Sequence, residues 1–156
     1  MPETIVQLTV SEADLVALAG RMAAVLVAGD CVALWGDLGA GKTTFARALI
    51  RALVGDADLE VPSPTFALRQ DYASDRAAVV HFDLYRIAEP RDLDELGFDD
   101  APARAITVVE WPERAGDRVP PNAIGVYLRD GPTAGVRDVT ITVADVDRQR
   151  IAAVFQ

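Results

Sequence analysis

Residues 31–44 read Cys31-Val32-Ala33-Leu34-Trp35-Gly36-Asp37-Leu38-Gly39-Ala40-Gly41-Lys42-Thr43-Thr44, and FARALIRAL follows. The first five residues are apolar on both faces, as a central parallel strand requires. The residues after Lys42 carry a helical spacing of apolar side chains to about Leu53. Between strand and helix, Gly36, Gly41, Lys42 and Thr43 match GxxxxGK[ST]. In a chain of this length such a match arises by chance less than about once in a hundred sequences at average residue usage. Glycines let the backbone curl so that successive N–H groups point inward at an anion. The following helix contributes its unpaired amides and the positive end of its dipole. On this reading Gly36, Asp37, Leu38, Gly39, Ala40 and Gly41 wrap nucleotide phosphates. Lys42 reaches the outer phosphate oxygens, the Thr43 hydroxyl ligates Mg2+, and Thr44 meets the α-phosphate region. A bare strand-to-helix turn needs neither a lysine nor a hydroxyl at these places.

Working outward, TIVQLTV at 4–10 alternates like a half-buried strand, and Ser11 with Glu12 and Asp14 opens a helix running to about Val27. Beyond the glycine loop, Val61-Pro62-Ser63-Pro64-Thr65 is loop, because two prolines forbid regular structure. FALRQDY and AVVHFDLYRI read as strands joined by ASDRA in a hairpin. PRDLDELG is a short helix stopped by Gly97, and AITVVEW is a second buried strand. AIGVYLRD and DVTITVAD are strands divided by Gly131-Pro132, and ADVDRQRIAAVF is a closing helix. The pattern predicts one domain over residues 1–156. It is α/β, a P-loop NTPase-like three-layer sandwich with a mixed central sheet and helices on both faces.

Half of the chain is apolar, 51% by composition, so a proper core can form without staples. Cys31 is the single cysteine, which rules out an internal disulfide, and no paired metal-ligand spacing exists. No leader and no membrane-length apolar run are visible, so a soluble cytoplasmic protein without membrane contact is expected. The net charge is −9 and Lys42 is the sole lysine, which argues against autonomous nucleic-acid binding, where basic contacts to phosphate dominate.

Hydrolysis needs an acid for the magnesium shell and a group that places water. Asp83 ends VVHF and Glu110 ends ITVV, each delivered by a buried strand to the carboxyl edge of the sheet, where ligands sit in open α/β folds. Either acid could instead be a solvent-facing strand end. Thr65 lies twenty-two residues after Thr43 in a proline-stiffened loop, where nucleotide-sensing switches fall in some P-loop proteins; a turn or strand cap is its other reading. His81 is the only histidine and shares a strand face with Asp83, either as a packed residue or as a partner of the site.

GDLGAGKTTFARAL, SPTF, HFDLYR, ELGFDD and VVEWPER together resemble the bacterial TsaE family, formerly YjeE, over about residues 5–145. HFDLYR and VEWPE discriminate far better than the glycine loop, which many functions share. The resemblance implies a weak, partner-stimulated ATPase required for threonylcarbamoyladenosine at position 37 of tRNAs, with ATP/ADP and Mg2+ as cofactors. It implies Lys42, Asp83, Glu110 and Thr65 as catalytic residues, and Thr43, Glu110 and Asp83 as magnesium ligands. It places Trp111, Glu113 and Arg137 near the nucleotide, and Ser11 and Glu12 near its base. The implied partner is the TsaD–TsaB heterodimer, with hydrolysis supporting multiple turnover and tRNA met only indirectly, through the complex. That division of labour agrees with the acidic charge.

Three other readings remain at this point. A small-molecule P-loop kinase needs a lid and an acceptor pocket, whereas this chain passes into a hairpin after the P-loop helix. A regulatory GTPase usually carries Asn-Lys-x-Asp, which a chain with lysine only at position 42 lacks. An adaptor would hold no nucleotide.

Overall fold

The structure is a computed structural model that describes residues 2–37, 39–64 and 66–155. The predicted strand at 31–35 is the axis of the molecule. It is β2 (Cys31–Trp35), buried through Leu34, and it lies between two parallel neighbours, β5 (Ala105–Glu110) and β6 (Ile124–Asp130). β4 (Ala78–Asp83) continues the parallel set beside β5, and β3 (Arg69–Tyr72) closes that edge as the antiparallel arm of the expected hairpin. On the other side β7 (Val136–Val143) and β1 (Glu3–Ser11) add antiparallel strands, with a bulge in β1 between Thr4 and Val6. The order across the seven-stranded sheet is β1-β7-β6-β2-β5-β4-β3. The sheet is mixed, as the sequence predicts.

Two amphipathic helices cover one face. α1 (Glu12–Ala23) turns Leu15, Leu18, Ala19 and Met22 inward, and α2 (Lys42–Val54) turns Phe45, Ala46, Leu49 and Ile50 inward. Both meet Val32, Leu34, Ile106, Val108, Val126 and Ile141 in one core. Each fully buried Leu or Phe there contributes roughly 1.5–3 kcal/mol by leaving water. Ser11 caps α1 as predicted, its Oγ accepting the Asp14 amide at 3.1 Å. α1 stops at Ala23, short of the predicted Val27. Arg76 donates to the carbonyls of Ala23, Ala24 and Leu26, satisfying that end, and the chain turns toward β2 through Gly29 at φ 101°. The closing helix is also shorter than expected: α3 (Arg148–Ala152) is flanked by 3-10 turns, with Ile151 buried beneath it.

The opposite face carries a second core of Cys31, Val80, Phe82, Leu93, Phe98, Val109 and Ala115. Phe98 meets Phe82 edge-on at 5.0 Å between centroids. This layer is built from 3-10 segments, Pro90–Leu96 and Pro112–Arg118, rather than long α-helices. Both begin at proline, Gly97 ends the first with φ 66°, and Gly116 kinks the second at φ 59°. Seven residues between such breakers are too few to sustain an α-helix.

Because β2, β4 and β5 run parallel, their carboxyl ends emerge at one edge. Register pairs Leu34 with Glu110 and Asp83 with Glu110. That edge receives the glycine loop and the start of α2.

Candidate functional site

The loop after β2 is shaped by glycine. Gly36, Gly39 and Gly41 all have positive φ, of 148°, 79° and 105°. A Cβ on Gly36 would lie 2.4 Å from the Leu128 carbonyl oxygen of β6, so no side chain fits there. Gly41 is the N-cap of α2 and supplies no side-chain cap, so that among the described residues the first-turn amides are left to an external acceptor.

A cleft of about 410 Å3 opens above this turn, lined on the loop side by Gly39, Gly41, Lys42, Thr43 and Thr44. Ser63, Asp83, Tyr85, Glu110, Trp111 and Arg137 form the facing wall. Lys42 is 5% exposed, and its ammonium donates to the carbonyls of Gly36 and Asp37 while sitting 3.4 Å from the centroid of the Trp111 ring. Burial pushes its pKa below the usual lysine range; Glu113, Glu110, Asp37 and Asp83 pull it back by their charge.

The carboxylates sit where the sheet edge delivers them. Glu110 is 2% exposed: its Oε1 accepts the Thr43 hydroxyl at 3.0 Å, and its Oε2 lies 2.7 Å from His81 Nε2. Asp83 is 4% exposed and accepts the Ser63 hydroxyl at 2.8 Å and the Tyr85 amide at 3.0 Å. Neither acid is the solvent-facing strand end that the sequence left open.

Trp111 follows Glu110 in a left-handed conformation, φ 59° and ψ 50°, unusual for a bulky side chain. Its ring also packs on Tyr85, 4.9 Å between centroids. Arg137 reaches over from β7 and donates to the Gly39 carbonyl at 3.1 Å, bracing the loop. It also lines a small adjoining pocket of about 90 Å3 with Glu12, Thr44 and Gly135.

The structure therefore gathers most of the predicted residues. Gly36, Asp37 and Ala40 shape the loop without lining the cleft, and Glu113 acts on Lys42 through charge. Glu12 reaches the small pocket, whereas Ser11 lines neither space and spends its hydroxyl on the α1 cap. Leu38 and Thr65 lie outside the described residues. Sequence reasoning gave no role to Tyr85 and no hydroxyl partner to Asp83. The signal for Tyr85 was its place two residues after Asp83 in HFDLYR.

The donor set suits a hard, oxygen-seeking cation: one hydroxyl, from Thr43, beside the carboxylates of Glu110 and Asp83. Among the described residues no three His, Cys, Asp or Glu side chains gather into a closed metal cage. A Mg2+ ion held here would complete its shell with phosphate oxygens and water, the usual arrangement for that ion.

The family profile for "Threonylcarbamoyl adenosine biosynthesis protein TsaE" matches residues 9–139. Among curated relatives, the tRNA threonylcarbamoyladenosine biosynthesis protein TsaE of Rickettsia conorii is 39% identical over 76% of this chain and 67% of its own length. Its counterpart in Rickettsia felis is 40% identical over 71% of this chain and 64% of its own, so the match spans about two thirds of these relatives. The Aquifex aeolicus protein of the same description is 40% identical over 67% of this chain and 74% of its own. Among solved structures, Bacillus subtilus YdiB superposes with a TM-score of 0.73 over 99% of this chain and 93% of that one, at 24% identity, and supports the fold.

Proposed function

Since the chain belongs to the TsaE family of threonylcarbamoyl adenosine biosynthesis proteins, we propose that it is the Mg2+-dependent ATPase component of bacterial tRNA threonylcarbamoyladenosine formation. It acts in the cytoplasm with a TsaD–TsaB heterodimer and meets tRNA only through that complex. No helix among the described residues is long and apolar enough to cross a membrane. The observation that carries the reading is the Thr43–Glu110 contact at the mouth of a glycine loop whose helix has no side-chain cap among the described residues.

The residues act as follows. Amides of the loop and of the first turn of α2 bind the phosphate chain. Lys42 leaves the Gly36 and Asp37 carbonyls and turns its ammonium to the phosphate oxygens. The Thr43 hydroxyl donates a hydrogen bond to Glu110, which leaves its oxygen lone pairs free for a cation. Bound Mg2+ would neutralise charge building on the phosphates during transfer to water. Asp83 holds the Ser63 hydroxyl and the Tyr85 amide, fixing the polar wall opposite Lys42. Thr65, next to that wall in sequence, is the proposed switch residue. No described side chain is a self-evident water-positioner, which agrees with weak activity until a partner orders the site.

Reconstitution tests this. With TsaD–TsaB, tRNA and the threonylcarbamoyl donor, the wild-type chain should sustain many turnovers. Omitting it, or using Lys42→Ala, should stop formation after about one turnover. Undiminished turnover without the chain sinks the proposal.

A further inference from the structure

We propose that His81 is a positioning residue, which fixes the Glu110 carboxylate so that Oε1 faces Thr43 and the cation site. This rests on the reading of the cleft as a Mg2+–nucleotide site. His81 and Glu110 lie on neighbouring parallel strands, with His81 in register with Val108, so that Glu110 is its diagonal neighbour on the same face. Nε2 stands 2.7 Å from Glu110 Oε2, and the two side chains are 1% and 2% exposed. His81 Nδ1 has no partner among the described residues. A carboxylate only accepts, so Nε2 carries a hydrogen and donates a hydrogen bond to Glu110 Oε2.

A glutamate side chain has three rotatable bonds, and the Thr43 hydroxyl alone holds only one of its oxygens. The second hold, from His81, removes the remaining rotation. The result is a chain from β4 through β5 to α2: His81 Nε2–H to Oε2, and Thr43 Oγ1–H to Oε1. A histidine kept for packing alone would be a poor choice, because burying Nδ1 without a partner costs stability that a phenylalanine would not incur. The donor on Nε2 is what that cost obtains. Outer hydrogen bonds of this kind orient metal-site carboxylates and tune their affinity.

The test uses Mn2+ as a paramagnetic stand-in for Mg2+, counted by electron paramagnetic resonance with ADP present, alongside ADP affinity in EDTA. Wild-type protein should take up Mn2+ with ADP. His81→Phe should weaken that uptake ten- to hundredfold while ADP binding in EDTA changes by less than about twofold, the pattern expected for an outer-shell loss. His81→Gln, whose amide nitrogen falls near the place of Nε2, should recover most of the Mn2+ affinity. His81→Asn, whose amide falls near Nδ1, should not, and this pair decides the matter even if the phenylalanine variant does not fold. Equal Mn2+ affinity in the Gln and Asn variants, or loss of ADP in EDTA matching the loss of Mn2+, overturns the assignment. Wild-type protein that binds ADP but no Mn2+ overturns the magnesium reading of the cleft itself, and the assignment with it.

Discussion

Thr43 and Glu110, sixty-seven residues apart, meet at 3.0 Å and tie the first turn of α2 to the end of β5. On the proposed function the contact sets apart two jobs of the cleft: the backbone and Lys42 would grip phosphate, and the cation side would depend on Glu110. Glu110→Ala should therefore keep metal-free ADP binding and lose hydrolysis by about a hundredfold or more, the scale seen when one electrostatic group is taken from a transition state. Calorimetric titration in EDTA and partner-stimulated phosphate release measure the two halves. Hydrolysis equal to wild type would remove Glu110 from the magnesium shell.

Lys42 is buried among carbonyls and an aromatic ring, and burial drives its pKa down. The sign follows. A base whose native pKa is lowered is held less comfortably as a cation in the native state, and that cost acts at all pH values below the native pKa. Lys42→Met should thus leave the urea midpoint unchanged or raised. The same change should weaken ATP binding at least tenfold, since a charge-assisted hydrogen bond contributes about 1.5–3 kcal/mol. A clear fall in the midpoint would show that the ammonium stabilises the nucleotide-free protein.

Gly36 is required by packing as much as by the loop. A methyl group there would meet the Leu128 carbonyl oxygen at 2.4 Å, a backbone atom of β6 that has little room to yield, at φ 148°. Gly36→Ala should lower stability by about 1–3 kcal/mol, as overpacking does. Gly39→Ala, with nothing within 4 Å but φ 79°, should cost less than Gly36→Ala, since only backbone strain remains. Chemical denaturation of the two variants compares them directly; a larger loss at Gly39 would contradict the packing argument.

The parts of this molecule that sequence made legible are those governed by local rules. CVALW, the glycine spacing and FARALIRAL each declare their structure through periodicity or φ requirements, and β2, the loop and α2 follow within a residue or two. Asp83 and Glu110 could be placed because a buried strand ending in an acid has few other uses. What stayed hidden depends on distant partners. The early stop of α1 comes from Arg76, more than fifty residues away, capping its last carbonyls. The 3-10 layer on the second face arises because proline and glycine bound its short segments, of which PRDLDELG reads from sequence as a short helix. The role of His81 was ambiguous for the same reason: strand periodicity fixed its face, but only the register of β4 against β5 brings it to Glu110.

Cys31 offers a test of the central strand that is independent of any ligand. Its thiol is 1% exposed in the middle of the sheet, and burial pushes its pKa up from 9.0 to about 11. An acid whose native pKa is raised favours folding fully below its unfolded pKa. Between about 9 and about 11 the unfolded chain gives up the proton first, so stability falls as pH rises through that window. Two units correspond to about 3 kcal/mol at the upper end. Urea unfolding of wild type and Cys31→Ala at pH 8, 9 and 10 should show a steeper decline for wild type above pH 9, after other titrating groups cancel in the difference. At pH 8 the native thiol should also resist a disulfide reagent and react only as fast as the protein unfolds. Rapid labelling of folded protein, or parallel pH slopes for the two chains, would mean that β2 is open to water rather than enclosed between β5 and β6.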